Sequence, residues 1–165
     1  MGYQLIETIE VGSGGAASIE FTGIPQDAQD LKVLLSGRSN NAATLNLWTR
    51  FNSDTGSNYS VVILRGSGSS VNSYAYTEAQ MRSSWVGESD QDGFSSVGIY
   101  ISNYTSATNK SVSIDGVQET NATTAYMDIV AGSYSTTSPI TTITFLMPIS
   151  ANFVQYSTAS LYSIS

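Results

Sequence analysis

The chain contains no histidine and no cysteine. It therefore lacks the side chains that most often act as general base, thiol nucleophile or soft metal ligand near neutral pH. No disulfide can form, and none is required: a domain of 165 residues buries roughly 70% of the surface its unfolded chain exposes. Lysine is scarce, with only Lys32 and Lys110, and neither sits in an apolar run deep enough to desolvate an amine. Six basic residues face thirteen acidic ones, a net charge of -7. Such a surface repels phosphate backbones and anionic headgroups, which sets nucleic acid and membranes aside as partners. No apolar run approaches the ~20 residues of a membrane-spanning helix. Met1 to Glu7 has no basic region followed by an apolar stretch, so the expectation is a protein made in the cytoplasm without a secretory leader.

What is present is serine and threonine, roughly a quarter of the chain and well above ordinary usage, together with short stretches in which every second residue is apolar. Ile19 and Phe21 alternate with Ser18, Glu20 and Thr22, and Leu31, Val33 and Leu35 alternate with Lys32, Leu34 and Ser36. Leu45, Leu47 and Phe51 point one way, while Asn46, Trp48, Arg50 and Asn52 point the other. The dense turn Ser53–Asn58 predicts that Tyr59 to Arg65 returns as a hairpin partner. Further apolar faces follow at Val97, Ile99 and Ile101, at Val112 and Ile114, at Ala125, Met127, Ile129 and Ala131, at Ile143, Phe145 and Met147, and at Ala159 and Leu161. In Tyr3 to Val11 the period places Leu5, Ile9 and Val11 on one side and Ile6 on the other. Residues 66–93 read as loop-rich, and Tyr76 to Arg82 as a loop or edge strand too short to stand as a helix. The chain is expected to form one domain, residues 1–165: an all-β, jelly-roll-like antiparallel sandwich of about ten strands.

Few constellations could carry chemistry. A glycosidase needs two facing carboxylates, and the candidates are Glu88, Asp90 and Asp92 in one cluster, with Asp115, Glu119 and Asp128 singly. Asp115 and Asp128 read as outward residues of solvated strands. Glu88 to Gly93 has alternate carboxylates like a calcium loop, but Ile99 stands where an EF-hand needs its bidentate Glu. An exposed acidic turn and a looser oxygen-ligand site both remain open there. Sequons at Asn58, Asn103, Asn109 and Asn121 arise readily in so Ser- and Thr-rich a chain. No catalytic residue, cofactor or metal is expected.

The turn Arg50-Phe51-Asn52-Ser53-Asp54-Thr55-Gly56-Ser57-Asn58-Tyr59-Ser60 resembles a recurrent segment of small virion proteins of tailed bacteriophages, especially marine and cyanobacterial ones. The likeness extends to Tyr3–Ile6, Phe21–Pro25, Ile101–Ser106, Asn121–Tyr126 and Asn152–Ile164, nearly the whole chain. Ser53 and Ser163 depart from it, standing where relatives often carry Gly. The resemblance implies a virion structural role and supplies no catalytic residues. A compact module without fibrous repeat or coiled-coil heptads suits a capsid decoration (cement) protein on the outer head surface better than a fibre. Its expected partners are the major capsid protein and, at three-fold positions of the shell, two further copies in a homotrimer. A tail-tip module that recognises host glycan is the alternative. The expected interface comprises Leu5, Ile6, Trp48 and Arg50, because an outward Ile6 and Trp48 in polar rows call for a covering neighbour. In the other reading, Ile6 and Trp48 pack under this chain's own loops.

Overall fold

The computed structural model describes residues 2–89, 93–119 and 125–165. Its strands are β1 (Tyr3–Glu10), β2 (Ser18–Phe21), β3 (Asp30–Gly37), β4 (Leu45–Phe51), β5 (Tyr59–Ser67), β6 (Ser70–Glu78), β7 (Met81–Val86), β8 (Ser95–Ile101), β9 (Lys110–Gln118), β10 (Tyr126–Tyr134), β11 (Ile143–Leu146) and β12 (Thr158–Ile164). They form an eight-stranded sheet ordered β1-β12-β3-β8-β9-β10-β5-β6 and a four-stranded sheet ordered β2-β11-β4-β7. Every pairing between these strands is antiparallel. The all-β sandwich is as expected, with twelve strands among the described residues instead of about ten.

The order resolves into a frame and an addition. Between four strands of the large sheet, β1-β12-β3-β8, and the four of the small sheet the chain crosses at β1–β2, β2–β3, β3–β4, β7–β8 and β11–β12. That alternation is the winding of an eight-stranded jelly roll. The other four strands, β9-β10-β5-β6, extend the large sheet to one side as a wing. Tyr59 to Arg65 is therefore no hairpin partner of β4: β5 leaves the small sheet and pairs with β10 and β6.

The core lies between the sheets, where alternation places Ile19, Phe21, Leu31, Val33, Leu47, Phe51, Ile99, Ile114, Phe145 and Leu161 almost wholly out of solvent. The wing reaches this core through β7. Ser84 seats on Gly116, where an added Cβ would lie 2.1 Å from the Ser84 Oγ, and Met81 seats on Gly132 at 2.8 Å from its Sδ. Only glycine at these two positions lets β7 approach β9 and β10 so closely.

Two bulges shift the pattern from its sequence phase. In β1, Leu5 pairs with Tyr162 and Glu7 with Leu161, so Ile6 is the extra residue. An inserted residue reverses which side the following positions face, and Ile6 joins Ile9 against the core while Leu5 is 52% exposed. The expected outward Ile6 and inward Leu5 are thus exchanged. In β7, Leu47 pairs with Ser84 and Trp48 with Arg82, leaving Ser83 as the extra residue, and its hydroxyl shares a 2.6 Å hydrogen bond with Thr49. The stretch read as loop-rich contains both β6 and β7, and Tyr76 to Glu78 ends an edge strand.

Candidate functional site

The expected interface residues fall into two groups on different sheets. Trp48 and Arg50 lie half-buried on the row of β4 that faces away from the core. Their neighbours are held within the chain: Arg50 donates to Gln80 at 3.2 Å, Arg82 pairs with Glu78 at 2.6 Å, and the Arg82 guanidinium lies 4.1 Å from the Tyr76 ring centre. That ion pair, with its hydrogen bonds, holds the Glu78 carboxyl below its ordinary range. Leu5 lies on the outer face of the large sheet, and Ile6 beneath the edge of that sheet.

The outer face of the large sheet carries the feature missing from the sequence reading. Cross-strand register sets three rows on it. One runs Leu5–Tyr162–Lys32–Tyr100–Ser113–Ala131–Val62–Ala75, the next Ser160–Leu34–Gly98–Asp115–Ile129–Leu64–Ser73, and the third Ser96–Val117–Met127–Gly66–Val71. On the wing, Val62, Leu64, Val71, Val117, Met127 and Ile129 remain between 45% and 73% exposed. Lying side by side in neighbouring rows, they form one exposed apolar patch, the kind of surface that marks an interaction site when it is large. Beside them runs a shallow groove of about 410 Å³ lined by Ser60, Val62, Ala75, Thr77, Ala131 and Ser133. The charged pair within these rows, Lys32 and Asp115, stands 3.8 Å apart and neutralises itself.

This face inverts the expectation for β10. Met127 and Ile129 form the strand's obvious apolar row, yet they face solvent, and Asp128, Val130, Gly132 and Tyr134 face the core. Asp128 is accordingly no solvated carboxylate. It is buried, accepting hydrogen bonds from Arg65 Nε at 2.7 Å and Arg65 Nη2 at 2.9 Å, with Ser84 Oγ at 3.4 Å. The Arg65 guanidinium is stacked 4.5 Å from the Trp85 ring centre, with Tyr74 at 5.4 Å and Tyr126 at 6.0 Å. Asp115 stands on the opposite face of the same sheet, so these two carboxylates do not face each other. Glu88 accepts a hydrogen bond from Thr44. Asp90, Asp92 and Asn121 lie outside the described residues, and among the described residues no cluster of three acidic side chains could hold a metal.

Lys110 also departs from expectation. It is fully buried, and its ammonium donates to the Ser106 carbonyl at 2.7 Å and to that of Thr108. Burial lowers its pKa, and two of its three hydrogens close the loop before β9.

The turn that bears the resemblance is structural. Asp54 accepts from the Gly56 amide at 2.7 Å, Asn58 Nδ2 at 2.8 Å and the Tyr134 hydroxyl at 3.1 Å, and the first two hold its carboxyl below the usual range. Tyr59 stacks on Tyr134 with centroids 4.8 Å apart, and burial raises both phenols. The Asn52 side chain accepts from the Thr141 amide at 2.8 Å and donates to the Pro139 carbonyl at 2.8 Å. The turn thus fastens the β4–β5 crossing to the β10–β11 crossing, two of the three places, with β6–β7, where the chain passes between small sheet and wing.

No family model matches the chain, and no curated protein is similar to it. Among solved structures, the crystal structure of BuGH16Bwt is similar with a TM-score of 0.24 and 12% identity, over 88% of this chain and 62% of that one. The chain thus spans under two thirds of that protein's length, and a likeness this distant has no bearing on function.

Proposed function

We propose that the chain is a non-catalytic structural protein of a tailed-phage virion, a decoration protein that seats on the major capsid protein through the outer face of its wing. The observation that carries the reading is the exposed apolar surface of Val62, Leu64, Val71, Val117, Met127 and Ile129. These side chains sit on β5, β6, β9 and β10, and the opposite rows of β5, β9 and β10 fill the core with Ile63, Ile114 and Val130. A self-neutralised charge pair beside the patch lets an acidic molecule present an uncharged face to its partner. The resemblance to small virion proteins agrees with this, and the capsid exterior offers many equivalent seats.

The test is binding of purified protein to particles stripped of it. Ile129→Lys is expected to reduce occupancy at least about tenfold, as loss of a central contact residue does, while leaving thermal unfolding unchanged, because Ile129 faces solvent and a lysine there stands opposite Asp115. Full occupancy by Ile129→Lys would remove the wing face from the proposal. Hundreds of copies per virion are expected; a handful of copies with binding to host polysaccharide would instead favour the tail-tip alternative. Turnover of that polysaccharide would overturn the non-catalytic reading.

A further inference from the structure

The large sheet ends in two edges that differ in kind. β1 is guarded by the bulge at Ile6 and by the charges of Glu7 and Glu10. In the small sheet, β2 is only four residues long and β7 is bulged at Ser83 and bears Arg82. These are the usual devices that stop an edge from recruiting another strand. β6 has none of them. It runs nine residues, Ser70–Glu78, pairs with β5 on one side and, among the described residues, with nothing on the other. It contains no proline, lysine, arginine or aspartate, and Glu78 at its end is engaged by Arg82.

We infer that β6 pairs antiparallel with β6 of a second copy, about a two-fold axis at Tyr74. The strand is complementary to itself in that register. Outward, Val71 meets Thr77 and Ser73 meets Ala75; inward, Asn72 meets Tyr76 and Tyr74 meets its own symmetry mate. β-branched, small and aromatic cross-strand pairs of this kind stabilise sheets. Glu78 falls opposite Ser70, so two chains of net charge -7 meet along this edge without opposing like charges. Tyr74 is already ordered, stacked on Tyr76 at 6.4 Å with an interplanar angle of 15° and flanked by Arg65. The pairing is isologous and closes on two copies, whereas β6 against β1 would propagate. The two wings then form one continuous sheet with their apolar outer rows side by side. The sequence reading expects a trimer; the edge favours a two-fold, whatever the outer face binds.

The absence of cysteine from the natural chain gives a clean test. Directly opposed Cα atoms sit about 4.5–5.5 Å apart in an antiparallel pair, inside the roughly 4.4–6.8 Å that a disulfide spans. Under mild oxidation Tyr74→Cys is expected to cross-link into dimers at least about tenfold faster than Leu5→Cys, although Leu5, on the other edge, is the more solvent-accessible of the two. In sedimentation equilibrium the unaltered protein is expected to dimerise, more strongly as salt screens its charge. Ser73→Lys combined with Ala75→Lys opposes lysines across the axis and is expected to give a monomer of unchanged thermal stability. A protein that stays monomeric or forms a trimer, a dimer that survives both lysines, or equal cross-linking rates would each overturn the inference.

Discussion

Replacing Asp128 by alanine tests whether the wing is held to the sandwich by the ion pair inside it. The Asp128 side chain is 0% exposed and that of Arg65 10%, so the substitution strands a guanidinium that water barely reaches. Removing one partner of a buried pair costs about 3–5 kcal/mol. The rings of Trp85, Tyr74 and Tyr126 still attract the cation, by about 1–2 kcal/mol where it is desolvated. The expected loss therefore sits at the low end, ~3 kcal/mol, which for a chain of this size lowers the midpoint of thermal unfolding by roughly 6–12 °C. Urea unfolding at neutral pH, followed by tryptophan fluorescence, measures it, since Trp85 reports on the site directly. The double variant Asp128→Leu with Arg65→Met keeps the volume apolar and is expected to recover to within ~1 kcal/mol of the parent, as buried pairs replaced whole often do. A cost below ~1 kcal/mol for Asp128→Ala, or a double variant as unstable as the sum of its parts, would refute the pair as the wing's anchor.

Two further outcomes follow from the turn at the wing's root. Ser53 holds a φ of 54°, a left-handed conformation that costs an L-residue about 1–2 kcal/mol; Ser53→Gly is expected to stabilise the protein by up to ~1 kcal/mol in the same urea assay, the gain being reduced by glycine's freedom when unfolded. The Asp54 carboxyl, held below its ordinary value of 3.8, adds stability that is fully present above that value and is lost as pH falls through the lower folded one. Asp54→Asn is thus expected to be less stable than the parent at pH 6, with the difference shrinking in calorimetry as pH drops below about 4.

The frame was legible because its strands bury one face and wet the other: β3, β4 and β8 alternate in the sequence as they do in the fold, and so does β9 of the wing. The edges were not. β6 buries neither face fully, so no period marks it, and the bulges at Ile6 and Ser83 each insert a residue where a strict period of two assumes none. Ile6 and Ile9 lie three apart, and both can meet the core only if the strand is irregular between them, a signal present in the sequence but visible only once both are placed inside.

β10 shows why the candidate interface was the part least accessible to reading. Its two rows are Met127, Ile129 and Ala131 on one side and Asp128, Val130, Gly132 and Tyr134 on the other, and hydropathy alone sends the first inward. The choice is made elsewhere in the chain: Arg65 supplies the counter-charge for Asp128, Met81 fills the space above Gly132, Tyr59 stacks on Tyr134 at 4.8 Å, and Phe51 packs against Tyr134 at 5.3 Å with its ring tilted. Once those long-range contacts fix the polar-looking row inside, the period of two obliges Met127 and Ile129 to face out. Their exposure is then a cost that the fold does not need: a strand could keep its buried row and present serine or threonine outward, as β9 does at Ser111 and Ser113. The apolar residues on the outer row of β10, aligned with Leu64 and Val62 of β5 and Val117 of β9, are the side chains that the proposed docking surface would cover together.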